Sequence, residues 1–140
     1  KGYIRLDHPD LMLEFLVPEK GRGTDKPHPL PMLGLNATPL RFLDFLTQHT
    51  IETGIENFSI TLPHPIYYAL HKLMVGHRRF KKDKAIKDRQ SGIDILNALI
   101  QKGEAAEIKK VFDSISKKWQ NKIKNSLEKA QEIHLLDLLH

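Results

Sequence analysis

The sequence predicts an α+β fold: a small, mainly antiparallel sheet over residues 1–63, followed by a C-terminal layer of three to four helices over 64–140. Three observations predict it. Alternating and β-branched runs are confined to the first part of the chain, apolar residues recur at helical spacing from Ile66 onward, and no strand pattern returns after Pro63. At 140 residues and 40% hydrophobic content the chain is long enough for one domain with a real core.

The segment YIRLDHPDLMLEFLVP reads as two strands joined at Asp7-His8-Pro9-Asp10, where proline and the paired aspartates favour a tight turn. In the second strand Leu11, Leu13, Phe15 and Val17 share one face while Met12, Glu14 and Leu16 share the other, so both faces are expected to be covered. EKGRGTDKPHPLPMLG is too broken by Gly and Pro for helix or strand, and it is long for a passive connection. Thr38-Pro39 predicts a helix start, with Leu40, Leu43, Phe45 and Leu46 as apolar positions up to about Gln48. HTIETGI and NFSITLP are β-rich runs separated by Glu56-Asn57, which predicts a second hairpin.

After Pro63-His64-Pro65, the spacing of Ile66, Ala69, Leu70, Leu73 and Met74 predicts an amphipathic helix to about Arg79. A second helix is expected over 84–101, burying Ile86, Ile93, Leu96, Leu99 and Ile100 and stopping at Gly103. The tail carries one stripe of Ile108, Val111, Phe112, Ile115, Trp119, Ile123, Leu127 and Ala130, as one long helix or two broken near Ser114. There is no internal repeat, low-complexity tract or sustained heptad.

Composition narrows the function classes. Cysteine is absent, which excludes a thiolate metal site, a thiol nucleophile and a disulfide framework and suits a reducing, cytoplasmic setting. No apolar stretch approaches the roughly 20 residues of a membrane-spanning helix, so no membrane partner is expected. The 22 Lys and Arg against 17 Asp and Glu leave a net charge of +5, much of it in RRFKKDKAIKDR at 78–89. Such a run fits a phosphate-bearing partner as well as a solvated helix face. Eight histidines show neither HExxH nor i, i+4 helix spacing, which argues against a zinc site. The Gly21-Arg22-Gly23 turn offers backbone amides to an anion but matches no phosphate-loop pattern.

Glu14 is a lone carboxylate in an apolar strand, where an unpaired buried charge is costly. It is either a metal-binding or general-base carboxylate, or a strand-end charge that reaches solvent or a lysine. Tyr68, Lys72 and Arg79 fall at i, i+4 and i+11 on the helix beginning at Ile66, on one line away from the apolar stripe, with Gly76 leaving space along it. That line would grip a triphosphate, with lysine as point charge and arginine as fork, or it is an ordinary solvated face. Lys87 and Asp88 open the next helix, where a negative first-turn residue is favoured.

Taken together, RLDHPDLMLEFLVPEKGRG, LGLNATPLRFLDFL and LPHPIYYALHKLMVGHRR with KDKAIKDRQSGIDIL resemble a bacterial family of nucleotidyltransferase-fold proteins over roughly residues 3–100. The P-x-x-YALHKL…RR…KD order is also similar to that of abortive-infection toxin nucleotidyltransferases. The resemblance implies a polymerase-beta-like site in which a Gly-Ser turn and an Asp-x-Asp pair hold nucleotide and metal, and a later strand supplies a third carboxylate. Leu13-Glu14-Phe15 matches that third, catalytic and metal-binding carboxylate. Tyr68, Lys72, Arg79, Lys87 and Asp88 correspond to substrate-binding positions. An NTP substrate, Mg²⁺ or Mn²⁺, and a nucleic-acid or protein acceptor are implied with them.

Neither the Gly-Ser turn nor an Asp-x-Asp pair occurs in these 140 residues. The chain also opens on Lys1 straight into a strand pattern. The expectation is therefore a C-terminal portion, inactive by itself, of a bacterial nucleotidyltransferase. Two rival readings are a non-catalytic module that grips nucleic acid or an acidic protein with the basic helices at 78–89 and 117–129, and an interaction domain whose tail stripe meets a partner.

Overall fold

In a computed structural model that describes residues 5–21, 26–76 and 82–140, the class is α+β, with short, mostly antiparallel β-pairings followed by a mainly helical part. The chain divides into two compact units, residues 1–44 and 45–140.

In the first unit, β1 (Arg5–His8) and β2 (Leu11–Glu14) form the expected antiparallel hairpin across Pro9-Asp10. The second strand does not run on to Val17: it breaks at Phe15, and β3 (Leu16–Pro18) pairs elsewhere. Nor are both its faces covered, because Met12, Leu13, Glu14 and Leu16 are exposed.

The Gly- and Pro-rich stretch is more ordered than its composition suggests, holding β4 (His28–Leu30) and a 3₁₀ turn at Pro31–Leu33 that closes on Gly34 at φ +64°. Glycine tolerates that left-handed conformation without a Cβ penalty. Arg22 and Gly23 lie outside the described residues.

The helix expected to start at Thr38-Pro39 is a strand there. β5 (Leu35–Leu40) is the middle strand of three, antiparallel to β4 and parallel to β3. Proline in a central strand normally forfeits a ladder bond. Here the cost is avoided, because β4 pairs only with 35–37 and β3 only with 38–40. Thr38 N–H donates to Phe15 O at 2.7 Å and Glu19 N–H donates to Leu40 O at 3.1 Å, so the ladder steps around Pro39. The helix is reduced to α1 (Leu43–Thr47), with Phe45 and Leu46 buried.

The second unit starts within α1 at Phe45 and continues with β6 (Thr50–Ile55) and β7 (Phe58–Pro63), an antiparallel ribbon turning at Glu56-Asn57 as the sequence predicts. Its register sets Ile51 opposite Leu62, Thr53 opposite Ile60 and Ile55 opposite Phe58. Directly opposed residues share a face, so one side of the ribbon is almost wholly apolar. All five of its large apolar residues are exposed.

Five helices follow: α2 (Pro65–Gly76), α3 (Lys82–Gln101), α4 (Ala105–Ser114), α5 (Lys117–Ala130) and the short α6 (Ile133–Leu138). The tail therefore breaks after Ser114. The predicted stripes converge in the core, where Ile66, Leu70, Leu73 and Met74 meet Ile93, Leu96, Ile108, Phe112, Ile123 and Leu127, all essentially without solvent contact. Buried Ser126 ties α5 to α2 by donating to Leu73 O at 2.6 Å. Ile86, expected inside, is exposed, because it sits one residue off the buried Ala85 position. Gly103 at φ +84° ends α3 as predicted. Among the described residues no helix is long and apolar enough to cross a membrane.

α2 and α3 approach closely at two glycines. A Cβ on Gly92 would lie 2.8 Å from Ala69 O, and one on Gly76 would lie 3.2 Å from Ala85 O.

Candidate functional site

The sequence-predicted residues fall in both units. Glu14 closes β2 in the first unit and is exposed, so the burial cost expected for its charge does not arise. Tyr68, Lys72, Lys87 and Asp88 belong to the second unit, and Arg79 lies outside the described residues.

The structure brings three of these together on α2 and α3. Lys72 Nζ donates to Asp88 Oδ1 at 2.8 Å and stands 5.3 Å from the centroid of the Tyr68 ring. Tyr68 and Lys72 are one turn apart, which puts the ammonium beside the ring. Both charged side chains are largely withdrawn from water, at 22% exposure for Lys72 and 11% for Asp88. A withdrawn charge needs a close partner, and each meets that need for the other.

Two expectations change. Asp88 is not a first-turn residue, because α3 begins at Lys82; its role is the ion pair to α2 rather than the helix dipole. Gly76 leaves no open space either: its missing side chain is what admits the backbone of α3. Lys87 is exposed and lies beside this group in sequence.

Arg89 is a residue the sequence reading passed over as part of a charge run. Its Nε is buried and has no hydrogen-bond partner among the described residues, and its backbone nitrogen would lie 3.6 Å from a Cβ on Gly76. The signal was weak, since nothing in KDRQ distinguishes an arginine that turns inward.

Tyr67, next to Tyr68, is turned about 100° around the helix and faces a different neighbourhood. It helps line a cavity of about 480 Å³ with Phe45, His49 and Trp119. The rings are ordered against one another: His49 and Tyr67 have centroids 4.3 Å apart at 32°, Phe45 and Tyr67 lie 5.0 Å apart, and Phe45 meets Trp119 edge-on at 5.5 Å. The Tyr67 phenol titrates above its ordinary value, first because burial disfavours the phenolate and then because Glu107 is nearby, while Lys110 acts the other way. The cavity rim is the α4–α5 link, held by buried Gln120, which donates to Phe112 O at 3.0 Å and Ile115 O at 3.1 Å.

A family model described as Nucleotidyltransferase matches residues 2–119. The chain belongs to this nucleotidyltransferase family. The match includes Glu14, the Lys72–Asp88 pair and the aromatic cavity, and family membership supports a general nucleotidyl-transfer function. No curated protein and no solved structure matches the chain.

The family's chemistry raises the question of a metal. Among the described residues no group of three or more His, Asp or Glu is placed to hold one. The carboxylate nominated by the sequence, exposed Glu14, does not make a metal centre by itself.

Proposed function

We propose that this chain forms the later part of a nucleotidyltransferase that transfers a nucleotidyl group from an NTP, with Lys72 contacting the triphosphate. The observation that carries this reading is the pairing of Lys72 with Asp88 and Tyr68 inside the family-matched region. A lysine held in one place by a carboxylate and a ring face loses less side-chain freedom on meeting phosphate than one moving in solvent. Asp88 is a positioning residue acting through Lys72. Arg89 supplies further positive charge on the same helix pair and Lys87 extends it, while Arg79, outside the described residues, enters the reading as a substrate contact from sequence alone.

Mg²⁺ or Mn²⁺ belongs to this reading as the species that neutralises charge developing on the transferred phosphate. Glu14 would give it one oxygen ligand. In this reading the remaining ligands are those of an Asp-x-Asp pair, which these 140 residues do not contain, and the 140-residue chain alone is expected to show no turnover with Mg²⁺. An acceptor of nucleic-acid or protein type fits the net charge of +5.

The test compares two variants of the full-length protein. Glu14→Gln keeps shape but removes the charge a hard cation requires; transfer should fall by orders of magnitude with thermal stability unchanged, because the residue is exposed. Lys72→Ala should chiefly raise KM for the NTP. Near-normal transfer by Glu14→Gln would remove Glu14 from the site, and an unchanged KM in Lys72→Ala would remove the phosphate role.

A further inference from the structure

We propose that the cavity between α1, α2 and the α4–α5 link binds the planar ring of a nucleobase. The inference rests on the nucleotidyl-transfer reading only in choosing a nucleobase over other planar rings.

Its volume, about 480 Å³, lies within the range of small-molecule pockets, and four aromatic rings from three separated segments border it. Aromatic rings gathered to fill a core would all be buried. Here only Phe45 is, while Tyr67 and Trp119 are half-buried and His49 is exposed. Tyr67, Trp119 and His49 therefore reach solvent beside one another, as rings that stack on a base must.

The lining also carries polar groups near the rings. Gln48 is an exposed amide, and the Ser116 side chain makes no capping hydrogen bond to α5 although it occupies the N-cap. An amide and a hydroxyl beside stacked rings suit the mixed donor and acceptor edge of a base. Charge points the same way. Ser116 is followed by Lys117 and Lys118, both exposed, and the first turn of α5 contains no acidic residue. A nucleotide, unlike a neutral aromatic ligand, gains from those two lysines if its phosphates lie toward α5, at the Ser116 end of the cavity, rather than toward the Glu107 charge felt by Tyr67.

The site is also pre-formed. Gln120 fixes the link that bears Ser116, and Ser114 donates its hydroxyl to Val111 O at 2.6 Å, so that hydroxyl is already engaged. Pre-organisation lowers the entropy lost on binding.

The base could arrive on a free nucleotide or in a single-stranded polynucleotide, and the experiment separates these sources. Trp119 is the chain's single tryptophan, so its fluorescence reports on the cavity directly. The chain is titrated without metal with adenosine and cytidine, with the corresponding triphosphates, with a short single-stranded oligoribonucleotide, and with inorganic triphosphate as the base-free control. Saturable quenching by base-containing probes but not by the control is expected. A response to mononucleotides assigns the cavity to free nucleotide, and a response to the oligonucleotide alone assigns it to a polynucleotide.

His49→Ala, at an exposed position, should weaken binding roughly tenfold with an unchanged circular dichroism spectrum, as loss of one stacking ring does. Tyr67→Leu, which keeps apolar bulk, should do the same. No saturable quenching by any base-containing probe, the oligonucleotide included, or quenching undiminished in both variants, overturns the inference. These failures are distinct from that of the transfer reading. Binding by inorganic triphosphate alone would sink the base site and leave transfer standing, whereas base binding with transfer unaffected by Glu14→Gln and Lys72→Ala would do the reverse.

Discussion

Lys72 and Asp88 form a largely withdrawn ion pair between α2 and α3, and its structural and functional roles separate by mutation. Asp88→Asn leaves a largely withdrawn ammonium with a weaker partner and should cost about 1.5–3 kcal/mol, the range for a hydrogen bond to a charged group. Replacing both residues by apolar ones of similar size, Lys72→Met with Asp88→Leu, should recover most of that loss, because the two withdrawn charges are removed together. Chemical denaturation of the single and double variants checks this. If the pair is only a brace, the double variant should also retain NTP affinity; if Lys72 meets phosphate, stability returns and affinity does not. Tyr67 gives a second residue-scale test. Its phenol is raised above the ordinary value of 10.0, so the folded state holds the proton more tightly than the unfolded chain. That contribution to stability is complete below pH 10 and is lost as pH rises through the folded value. Absorbance titration near 295 nm should show a late-titrating tyrosine, which Glu107→Gln moves downward and Lys110→Met moves upward.

At the scale of elements, the α2–α3 crossing depends on glycine. In an exposed helix Gly→Ala gains about 1 kcal/mol from propensity. At Gly92 the new methyl would stand 2.8 Å from Ala69 O and 3.1 Å from Leu73 Cγ, and the backbone oxygen cannot swing aside. Overpacking of this kind costs about 1–3 kcal/mol, so it should win and Gly92→Ala should lower the denaturation midpoint. A raised midpoint would mean that the helices separate freely. The helices themselves were legible in the sequence, because Ile66, Leu70, Leu73 and Leu96 carry a period that only a helix satisfies. The hairpins were legible for a comparable reason, with turn residues at Pro9-Asp10 and Glu56-Asn57. Thr38-Pro39 misled because its capping chemistry is local, whereas the bonds that decided the outcome come from Phe15 and Glu19, some twenty residues away. β4 was hidden likewise, since it exists through its pairing with β5 rather than through its own composition. For the site, Tyr68 and Lys72 could be placed together from helical spacing, but their joining to Asp88 depends on how two helices cross, and the cavity draws on three segments that no motif links.

For the whole molecule, family membership and the pattern of exposure address different questions. The family match over 2–119 assigns the general chemistry, while the contrast between a closed helical core and a thinly covered β-ribbon says where the fold resists opening. α2 is surrounded by α3, α4 and α5, and its apolar side chains have essentially no solvent contact. The ribbon of β6 and β7 has only Thr53 and Pro63 even partly covered among its twelve paired residues. Two strands by themselves are marginal in water. Amide hydrogen exchange should therefore divide the second unit in two, with α2 amides released only on global unfolding and ribbon amides exchanging through local opening at a far lower free energy. Equal protection in ribbon and helices would contradict this. The ribbon also joins α1, which carries Phe45, to α2, which carries Tyr67. Each opening event loosens the tether between two walls of the aromatic cavity without disturbing the core beneath, so a brief exposure to protease should nick first near Glu56-Asn57 and leave a helical remnant whose heat of melting is nearly that of the uncut chain.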